Sequence, residues 1–494
     1  MGQHILLYTD DLGIGGVAQF NHSLLCHLAG LGYSLTHVCA NIETPLIRRE
    51  RELGIKHIGL ESHAGQDRLR TLKDIQSPKT IFSQAQPDLI IFSDGWPYSN
   101  FAAKQAAIAL NIPYVIILGF IEGSCVNLSY GDGISYPDVA TYQYSRAKAV
   151  VAVSQENLNL LHQLFKLPQT LGQVIYYGRP GEYFTASDPS VRDRLRQELS
   201  IPTDAVVCFT AARMEPLKGY QYQIAAIRQL QQTETWSKLY FVWAGSGSEC
   251  LYNNEQELKD AVAQLGVGDR VKFIGQRWDI PDWLDSSDIF ILPSIAEGMP
   301  LSIMEAMAKE LPVIASAVSG VPEELGETGK LLPNPNRDPR ATVRELAETI
   351  ETWSNSEKAR QSVGKTCKER AQRLFREERM LAQYGKVLEG VLSSELTTSS
   401  NATQILNADR IQELEQRLDY GFRVWEAWNA YRQGHYPQMA RNLRQSWKRT
   451  PFMRTQTLAN WVQSFRQFAD SRGEQFNARA LSQLPEWNQL LDTL

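Results

Sequence analysis

The amino-acid sequence predicts an α/β protein with two doubly wound parallel-sheet domains and a helical carboxyl-terminal appendage. Its 494 residues are too many for one hydrophobic core. Short apolar runs rich in Val and Ile alternate with helix-length amphipathic stretches, in two separate series. Beyond the second series the pattern is helical. These three observations indicate two Rossmann-like domains followed by a smaller helical part.

The predicted strands are short apolar runs, which are typical of strands buried on both faces of a parallel sheet. The first series comprises His4–Tyr8, Leu35–Ala40, Asp88–Phe92, Tyr114–Leu118, Ala149–Val153 and Gln173–Tyr176. The second series comprises Ala205–Ala211, Leu239–Ala244, Val271–Ile274, Ile289–Leu292 and Val313–Ala315. The amphipathic stretches between them supply the crossover helices that parallel strands require.

The predicted domains are residues 1–180, 181–394 and 395–494. The segment from about Gly178 to Ile201 is rich in Gly, Pro, Ser and Asp, so it is predicted to be an interdomain linker. After about Ala341 the pattern is helical almost to Ser394, and these last helices can cross back to the first domain. Thr397–Asn401 interrupts the helical pattern with polar residues of low helix propensity.

Composition and charge restrict the class of protein. Hydrophobic residues at 43% and charged residues at 21% are ordinary for a folded protein, and a net charge of -5 argues against a protein that coats nucleic acid. The amino terminus is predicted to be a first strand rather than a signal peptide, and no run reaches the ~20 apolar residues needed to cross a bilayer. The six cysteines form no CxxC pair and have no close histidines at metal spacing, so they are predicted to be reduced thiols. We expect a cytoplasmic protein whose contact with the inner membrane face is at most peripheral.

The strongest motif runs from Ala296 to Ala308 and follows the apolar strand that ends at Leu292. Pro300 is predicted to take the first helical position, which places Glu297 in the loop and Glu305 on the helix. The amino terminus of a helix that follows a parallel strand offers free N–H groups and a partial positive charge to a diphosphate. Carboxylates suit vicinal hydroxyls, so Glu305 is assigned to a ribose and Glu297 to the transferred sugar. On two carboxylates alone, surface glutamates beside an amphipathic helix are the alternative.

A second motif, Thr210–Gly219, follows the first strand of the second series. Arg213 and Lys218 stand five residues apart across a turn, where both cations can converge on a diphosphate and stabilise it as it leaves. The alternative is a pair of solvated surface charges beside a turn.

Three glycine-containing loops are weaker signals. Thr9–Val17 connects the first strand to a helix and contains Gly15 and Gly16, which let the backbone approach a phosphate or a sugar. Ala244–Gly247 is a small turn after a strand that contains Gly245, and Phe273–Arg277 ends near the predicted position of a nucleobase. Each of these can also be a plain turn.

Taken together, the motifs resemble glycosyltransferase family 4, whose EX7E signature matches Glu297 and Glu305, from the amino terminus to about residue 390. The resemblance implies the GT-B fold, with two Rossmann-like domains facing a cleft. It also implies a nucleotide-sugar donor (a UDP-, GDP- or ADP-sugar), retention of anomeric configuration, and no required cofactor or metal, because the basic pair replaces a divalent ion. The implied catalytic residues are Arg213, Lys218 and Glu297. The implied donor-binding residues are Gly15, Gly16, Arg213, Lys218, Gly245, Arg277, Glu297, Gly298, Met299, Pro300, Leu301 and Glu305.

Two departures from the family pattern concern the acceptor side. Gly119 stands where many members have a histidine that reaches the sugar, and Tyr176-Tyr177-Gly178 replaces the frequent Pro-Asn-Gly. These departures leave the acceptor open. The resemblance implies a glycosyltransferase of cell-surface polysaccharide or glycoconjugate biosynthesis, acting on a glycan, a lipid or a small-molecule acceptor. The alternative is a non-catalytic sugar-nucleotide sensor or scaffold that acts through its helical tail.

The tail contains one segment, Trp425 to Pro451, that resembles a tetratricopeptide-type helical hairpin. A single such unit cannot bury its apolar face alone, so it must pack on the catalytic body, on its own last helices or on a partner. Between Glu426 and Asp470 there are basic residues and tryptophans but no acid. This stretch is either an aromatic core with a solvated basic face or a contact for anionic lipid, glycan or protein.

Overall fold

The computed structural model describes residues 2–11, 13, 15–61, 67–128, 130, 134–247, 253–393 and 408–494. The chain forms two compact units. The first unit comprises Met1–Ala152, Leu158–Gln173 and Lys386–Leu494, and the second comprises Val153–Asn157 and Val174–Gly385. The predicted break at Thr397–Asn401 lies outside the described residues. The domain boundaries drawn from the sequence stay a prediction.

The first unit contains a seven-stranded sheet within its described part, in the order β3-β2-β1-β4-β5-β6-β7. Strands β1 to β6 pair in parallel. The central strands β1, β4 and β5 are buried along almost their whole length, as the apolar runs predict. The strands are β1 His4–Tyr8, β2 Ser34–Ala40, β3 Lys56–Leu60, β4 Leu89–Asp94, β5 Tyr114–Leu118, β6 Ala149–Ala152 and β7 Gly172–Val174.

Helices connect these strands. Three of them begin at side-chain caps in the described part of the chain: Thr44 accepts a hydrogen bond from the N–H of Ile47, Asp67 accepts one from the N–H of Arg70, and Ser154 accepts one from the N–H of Asn157. The helices are α1 Gly16–Gly30, α2 Pro45–Glu52, α3 Arg68–Lys73, α4 Gln76–Ala85, α5 Phe101–Ala109, α6 Tyr136–Arg146 and α7 Gln155–Leu164, with a 3-10 turn at Gly123–Asn127. The first residues of α7 belong to the second unit.

The second unit contains a six-stranded sheet, again within its described part, in the order β10-β9-β8-β11-β12-β13. All of its pairings are parallel. Its core is built on β8, β9 and β11 and includes the fully buried Trp243. The strands are β8 Val206–Ala211, β9 Leu239–Ala244, β10 Val271–Gly275, β11 Ile289–Leu292, β12 Val313–Ser316 and β13 Lys330–Leu332. The helices are α8 Pro189–Glu198, α9 Tyr220–Leu230, α10 Glu255–Gln264, α11 Ile280–Asp285, α12 Leu301–Ala308, α13 Val321–Leu325, α14 Pro339–Ser354 and α15 Glu357–Leu374, with 3-10 turns at Gly181–Phe184, Pro216–Lys218 and Glu234–Lys238. Helix α16, Glu377–Ser393, begins in the second unit, and its residues from Lys386 onward belong to the first.

Two strands are missing from the sequence prediction, and both are edge strands. β3 pairs only with β2 in the described sheet, and most of its residues are partly or fully exposed. β13 has three residues and pairs with β12 at the other sheet's edge. Edge strands do not need the continuous apolar run that marks a central strand. The sequence signal was therefore absent at these two places.

The interdomain linker predicted from about Gly178 to Ile201 was wrong in its second half. Helix α8 lies within it and is capped by Asp188, whose carboxylate accepts a hydrogen bond from the N–H of Ser190 at 2.8 Å. Arg196 on this helix is buried and donates to the carbonyl of Ser286 at 3.0 Å and to Asp288 at 2.7 Å. The Ser, Asp and Pro that suggested a linker are a helix cap and first turn, so this segment is part of the second unit.

The tail is helical in its described part. Helices α17 and α18 form a hairpin at the place predicted from the sequence, with Gly434 in the left-handed conformation at φ 74° in the turn. Helix α17 begins well before Trp425, so the hairpin is longer than the segment read from the sequence. The tail helices are α17 Ala408–Arg432, α18 Tyr436–Trp447, α19 Arg454–Asp470, α20 Ala478–Ser482 and α21 Pro485–Thr493.

The hairpin packs against the sheet-containing part of the first unit and against α19. Arg472 lies 2.7 Å from the buried Asp67, and the Gln76 amide donates to Glu426 at 2.8 Å. A Cβ at Gly421 would lie 2.8 Å from the Ile134 side chain and 3.0 Å from Lys73 Nζ, so glycine permits this close approach. The tail therefore covers its apolar face on the first unit and on its own later helix.

The tryptophans of the tail are mostly core residues. Trp425, Trp428 and Trp461 are at most 2% exposed, and Trp425 and Trp428 pack edge-on against phenylalanines of α19. Basic side chains lie exposed around this core; they are Arg432, Arg441, Arg444, Lys448, Arg449 and Arg466. This is the arrangement expected of an aromatic core with a solvated basic face, and a membrane or glycan contact stays a prediction.

Among the described residues, no helix is long and apolar enough to cross a membrane.

Asp10 provides a test of how burial affects stability in the first unit. It follows β1, is 4% exposed, and accepts a hydrogen bond from the N–H of Asn100 at 2.8 Å. Burial raises the pKa of Asp10 from 3.8 to about 7, although the Asn100 bond opposes the rise and nearby Asp94 adds to it. The folded state thus holds the proton more tightly than the unfolded state, so this contribution is complete below about pH 4 and is lost as the pH rises through about 7.

We therefore expect Asp10→Asn to gain stability relative to the native chain as the pH rises. Between about pH 5.5 and about pH 8.5, the difference in free energy of unfolding shifts toward the variant by about 2 kcal/mol, because the native chain alone must ionise a buried carboxyl. Urea unfolding at both pH values measures this shift. Asp204→Asn, at an exposed position, is the control. A difference that does not change with pH contradicts the assignment.

Candidate active site

The centre of the candidate site is the loop between β11 and α12, which carries Glu297. Both Glu297 oxygens accept from Lys218 Nζ, at 2.8 and 3.0 Å, and Ser294 Oγ donates to Glu297 at 2.7 Å. Glu297 is 7% exposed, and the Lys218 side chain is 17% exposed. The structure therefore brings two of the three predicted catalytic residues into a direct, largely buried ion pair.

The backbone between β8 and α9 delivers Lys218 to this pair. Lys218 ends the 3-10 turn Pro216–Lys218, and Gly219 follows it in the left-handed conformation at φ 75°. A Cβ at Gly219 would lie 1.9 Å from the Pro293 carbonyl oxygen, so another residue here would separate the two loops. The N–H of Ile295 donates to the Leu217 carbonyl at 2.8 Å and ties the loops together. A glycine is thus required both for the turn and for the approach.

Arg213 occupies the same loop but has a different partner. Its guanidinium lies 2.9 Å from the Glu215 carboxylate, and its side chain is 43% exposed. Behind it, Gly245 adopts φ 135°, and a Cβ there would lie 1.9 Å from the Ala212 carbonyl oxygen. The structure places Arg213 and Gly245 side by side in the loops after β8 and β9. It joins Arg213 to Glu215 rather than to the Lys218–Glu297 pair.

Helix α12 begins one residue later than the sequence predicts. Pro300 has φ -70° and ψ 118°, so it is the N-cap residue, and Leu301 is the first helical residue. The extended ψ of Pro300 explains the difference, because a helical residue needs a ψ near -40°. Met299 and Leu301 are buried. A Cβ at Gly320 would lie 2.1 Å from the Gly298 carbonyl oxygen, so the chain preceding α13 holds the Glu297 loop from the other side.

Glu305 lies in α12, as predicted, but it is buried and paired. It is 4% exposed, and its Oε1 lies 2.8 Å from Nη2 of Arg179. The Arg179 guanidinium also stacks on the Tyr183 ring at 4.7 Å. Burial raises the pKa of Glu305, while the charge of Arg179 and a hydrogen bond from Tyr183 oppose the rise. Glu305 is thus held by Arg179, a residue that the sequence analysis did not select.

Arg179 was missed because it stands in the segment interpreted as a linker. Its backbone N–H donates to the Phe375 carbonyl at 2.8 Å, and the N–H of Glu377 donates to the Arg179 carbonyl at 3.0 Å.

A third buried acid, Glu324 of α13, was also missed. Burial raises the pKa of Glu324 well above its usual range, and nearby Glu297 raises it further. The charges of Glu297 and Glu305 thus act in the same direction as burial and disfavour a third negative charge beside them.

The remaining predicted positions are dispersed. Arg277 donates from Nε to Asp279 at 2.8 Å and stacks on the Trp283 ring at 5.3 Å. Gly15 is the N-cap of α1 in the first unit at φ 89°, and Gly16 is the first helical residue there. Gly119 follows β5, also in the first unit. The structure therefore brings Lys218 and Glu297 together before α12 in the second unit, with Arg213 in the same loop as Lys218 but paired with Glu215. The roles of these residues stay predictions.

This arrangement can bind an anion. The first N–H groups of a helix have no partner within the helix, and the positive end of its dipole faces the same direction. Lys218, held by Glu297, adds a positive charge near this helix start, and the half-exposed Arg213 lies in the same loop as Lys218. The carboxylate of Glu297 limits the net charge and offers acceptors for hydroxyl groups.

Comparison with known proteins gives the family. A model of the Glycosyl transferase 4-like domain matches residues 15–178, and a model of Glycosyl transferases group 1 matches residues 191–370. D-inositol 3-phosphate glycosyltransferase of Streptomyces coelicolor is 31% identical over 176 residues, which are 34% of this chain and 37% of that protein. The putative teichuronic acid biosynthesis glycosyltransferase TuaC of Bacillus subtilis is 27% identical over 275 residues, 55% of this chain and 62% of TuaC. The matches thus span less than two thirds of these relatives.

The structure of Anabaena HepE in complex with UDP and glucose superposes with a TM-score of 0.63 at 21% identity, over 79% of this chain and all of HepE. The two models together account for most of the chain, and the chain belongs to glycosyltransferase family 4. The predicted family and the predicted GT-B fold are both confirmed.

Proposed function

We propose that this protein is a retaining glycosyltransferase that transfers a sugar from a nucleoside-diphosphate sugar to a glycan, lipid or small-molecule acceptor. The observation that carries the proposal is the Lys218–Glu297 pair, which lies at the start of α12 with both carboxylate oxygens within 3.0 Å of the ammonium. An ammonium fixed in this way is ready to stabilise the negative charge that develops on a leaving diphosphate. HepE, which shares the fold, is described in complex with UDP-glucose, and this supports a nucleotide-sugar donor.

The proposed roles follow from charge and position. Lys218 and Arg213 stabilise the departing diphosphate together with the first N–H groups of α12, which removes the need for a divalent ion at the donor. Glu297 orients the transferred sugar, and Glu305 accepts hydrogen bonds from the ribose hydroxyls. Arg277 is assigned to the nucleobase, and Gly15 and Gly16 are assigned to donor binding through their exposed backbone.

The proposed reaction breaks the bond between the anomeric carbon and the phosphate oxygen and forms a bond from that carbon to the acceptor oxygen. The acceptor attacks on the face that the diphosphate leaves, and the departing phosphate oxygen takes the acceptor's proton. Retention of configuration results, and no separate base is required. Gly119, which stands in place of a histidine, is compatible with this route.

We further propose a role in the biosynthesis of cell-surface polysaccharide or glycoconjugates, in the cytoplasm. The similarity to TuaC, described by its name as a teichuronic acid biosynthesis glycosyltransferase, supports this assignment. The rival proposal is a non-catalytic sugar-nucleotide sensor, which Gly119 and the docked tail favour.

The test is a panel of UDP-, GDP- and ADP-sugars, scored by thermal stabilisation and by release of free nucleoside diphosphate with and without acceptors. Thermal stabilisation by one donor, together with release of its nucleoside diphosphate, supports the proposal. The stabilisation is expected because a ligand that binds the native state raises Tm. Stabilisation without release of nucleoside diphosphate, across varied acceptors, supports the sensor. No response to any donor contradicts both proposals.

A further inference from the structure

A cluster of histidines surrounds one buried glutamate in the first unit, outside the candidate donor site. Glu50 of α2 is 1% exposed. His37 of β2 and His57 of β3 contact its Oε2 through Nδ1 at 2.8 Å and Nε2 at 2.7 Å, and His22 of α1 contacts Oε1 through Nδ1 at 3.0 Å. Ligand atoms of His37, Glu50 and His57 all lie within 4.8 Å of one another.

The second ring nitrogens show how the imidazoles are held. Nδ1 of His57 lies 3.0 Å from the Ile55 carbonyl, which can only accept, so Nδ1 of His57 carries a hydrogen. This directs its Nε2 at Glu50. A ring nitrogen fixed by a backbone carbonyl while the other faces inward is the usual arrangement around a metal-bound histidine. Nε2 of His37 is buried and has no hydrogen-bond partner among the described residues.

We propose that His37, Glu50 and His57 bind a divalent first-row transition-metal ion, with Zn²⁺ as the natural occupant. Two imidazoles and one carboxylate, whose ligand atoms lie within 4.8 Å of one another, make a nitrogen and oxygen set that suits Zn²⁺. His22 contacts the other oxygen of Glu50 at 3.0 Å and orients that carboxylate from outside the ligand set. The ion joins β2, α2 and β3, and it thereby anchors the half-exposed edge strand β3.

Little in the sequence indicates this cluster. The four residues come from four consecutive elements, and their spacing matches no compact metal-binding motif. The prediction that the cysteines have no close histidines at metal spacing was wrong for Cys26, whose Sγ lies 3.6 Å from His22 Nε2, although Cys26 is not one of the converging ligands. His22 and Cys26 are one helical turn apart on α1, a spacing that brings side chains together.

The experiment measures metal binding by the full-length protein. After dialysis against a chelator, the chain is titrated with Zn²⁺ alone and with Co²⁺ alone, and bound metal is counted by elemental analysis. We expect about one Zn²⁺ per chain, a Tm that rises with free Zn²⁺, and the visible absorption of tetrahedral Co²⁺. His57→Gln is expected to abolish the Tm response and the Co²⁺ absorption.

Two further variants keep the test informative. His22→Gln changes the least buried member, 20% exposed, so it should fold and weaken Zn²⁺ binding at least tenfold. His162→Gln, which removes a part-buried histidine outside the cluster, is the matched control and should bind Zn²⁺ like the native chain. The proposal is overturned if the folded native chain takes up no Zn²⁺, or if both cluster variants bind it as well as the control does.

Discussion

Replacing Lys218 by alanine is expected to lower kcat for sugar transfer about a thousandfold while changing the KM for the donor only a few-fold. The ammonium is held by both oxygens of Glu297 at 2.8 and 3.0 Å, so it is oriented before the donor binds. Its stabilisation is largest when negative charge builds up on the leaving diphosphate, and less of it acts in the ground state. Steady-state rates with the donor identified by the panel measure the change.

The control is Lys238→Ala, which removes a partly exposed lysine of the same unit whose Nζ donates to Asn355. The Tm of each variant is measured as well, since loss of Lys218 leaves the Glu297 carboxylate buried without its cation. Glu297→Gln removes that charge and should also reduce kcat. A Lys218→Ala protein that folds and keeps its kcat, with a raised KM alone, would mean that this lysine only binds the donor.

The parts of this site that could be predicted are those set by local sequence or by sheet topology. The loop position of Glu297 and the helix position of Glu305 follow from local sequence, because an apolar strand, a glycine and a proline precede a helical run. The proximity of Lys218 to Glu297 follows from topology, because β8 and β11 are neighbours in the sheet and both loops leave the same edge. These features were accessible before the structure.

Other contacts depend on side chains far apart in the sequence. Arg179 and Glu305 meet because the backbone of Arg179 bonds to Phe375 and Glu377, and no local pattern encodes that register. For the same reason, the sequence did not predict the edge strands β3 and β13 or the histidine cluster around Glu50. Each is defined by packing between elements, and a single sequence shows only the pattern within an element.

The pair formed by Arg179 and Glu305 leads to a prediction about donor recognition. Glu305 is 4% exposed, and burial raises its pKa, with Arg179 opposing the rise. Arg179→Met removes this opposition, so the pKa of Glu305 rises further and the protonated acid is favoured. A protonated carboxyl no longer accepts from two ribose hydroxyls. We therefore expect the affinity for the nucleoside diphosphate to fall about 30-fold near neutral pH.

The sign of the pH dependence separates this explanation from simple disorder of the site. Because the charged form of Glu305 binds the ribose, affinity in the Arg179→Met protein should recover as the pH rises through the raised pKa. Calorimetric titration with UDP and with 2′-deoxy-UDP, or with the base that the donor panel selects, should also show that the variant no longer distinguishes the two at neutral pH. Arg192→Met, which removes an arginine paired with Asp288 at 2.6 Å in the same unit, should leave this discrimination intact. If Arg179→Met binds both nucleotides as the native chain does, Glu305 does not hold the ribose and its ion pair serves the fold alone.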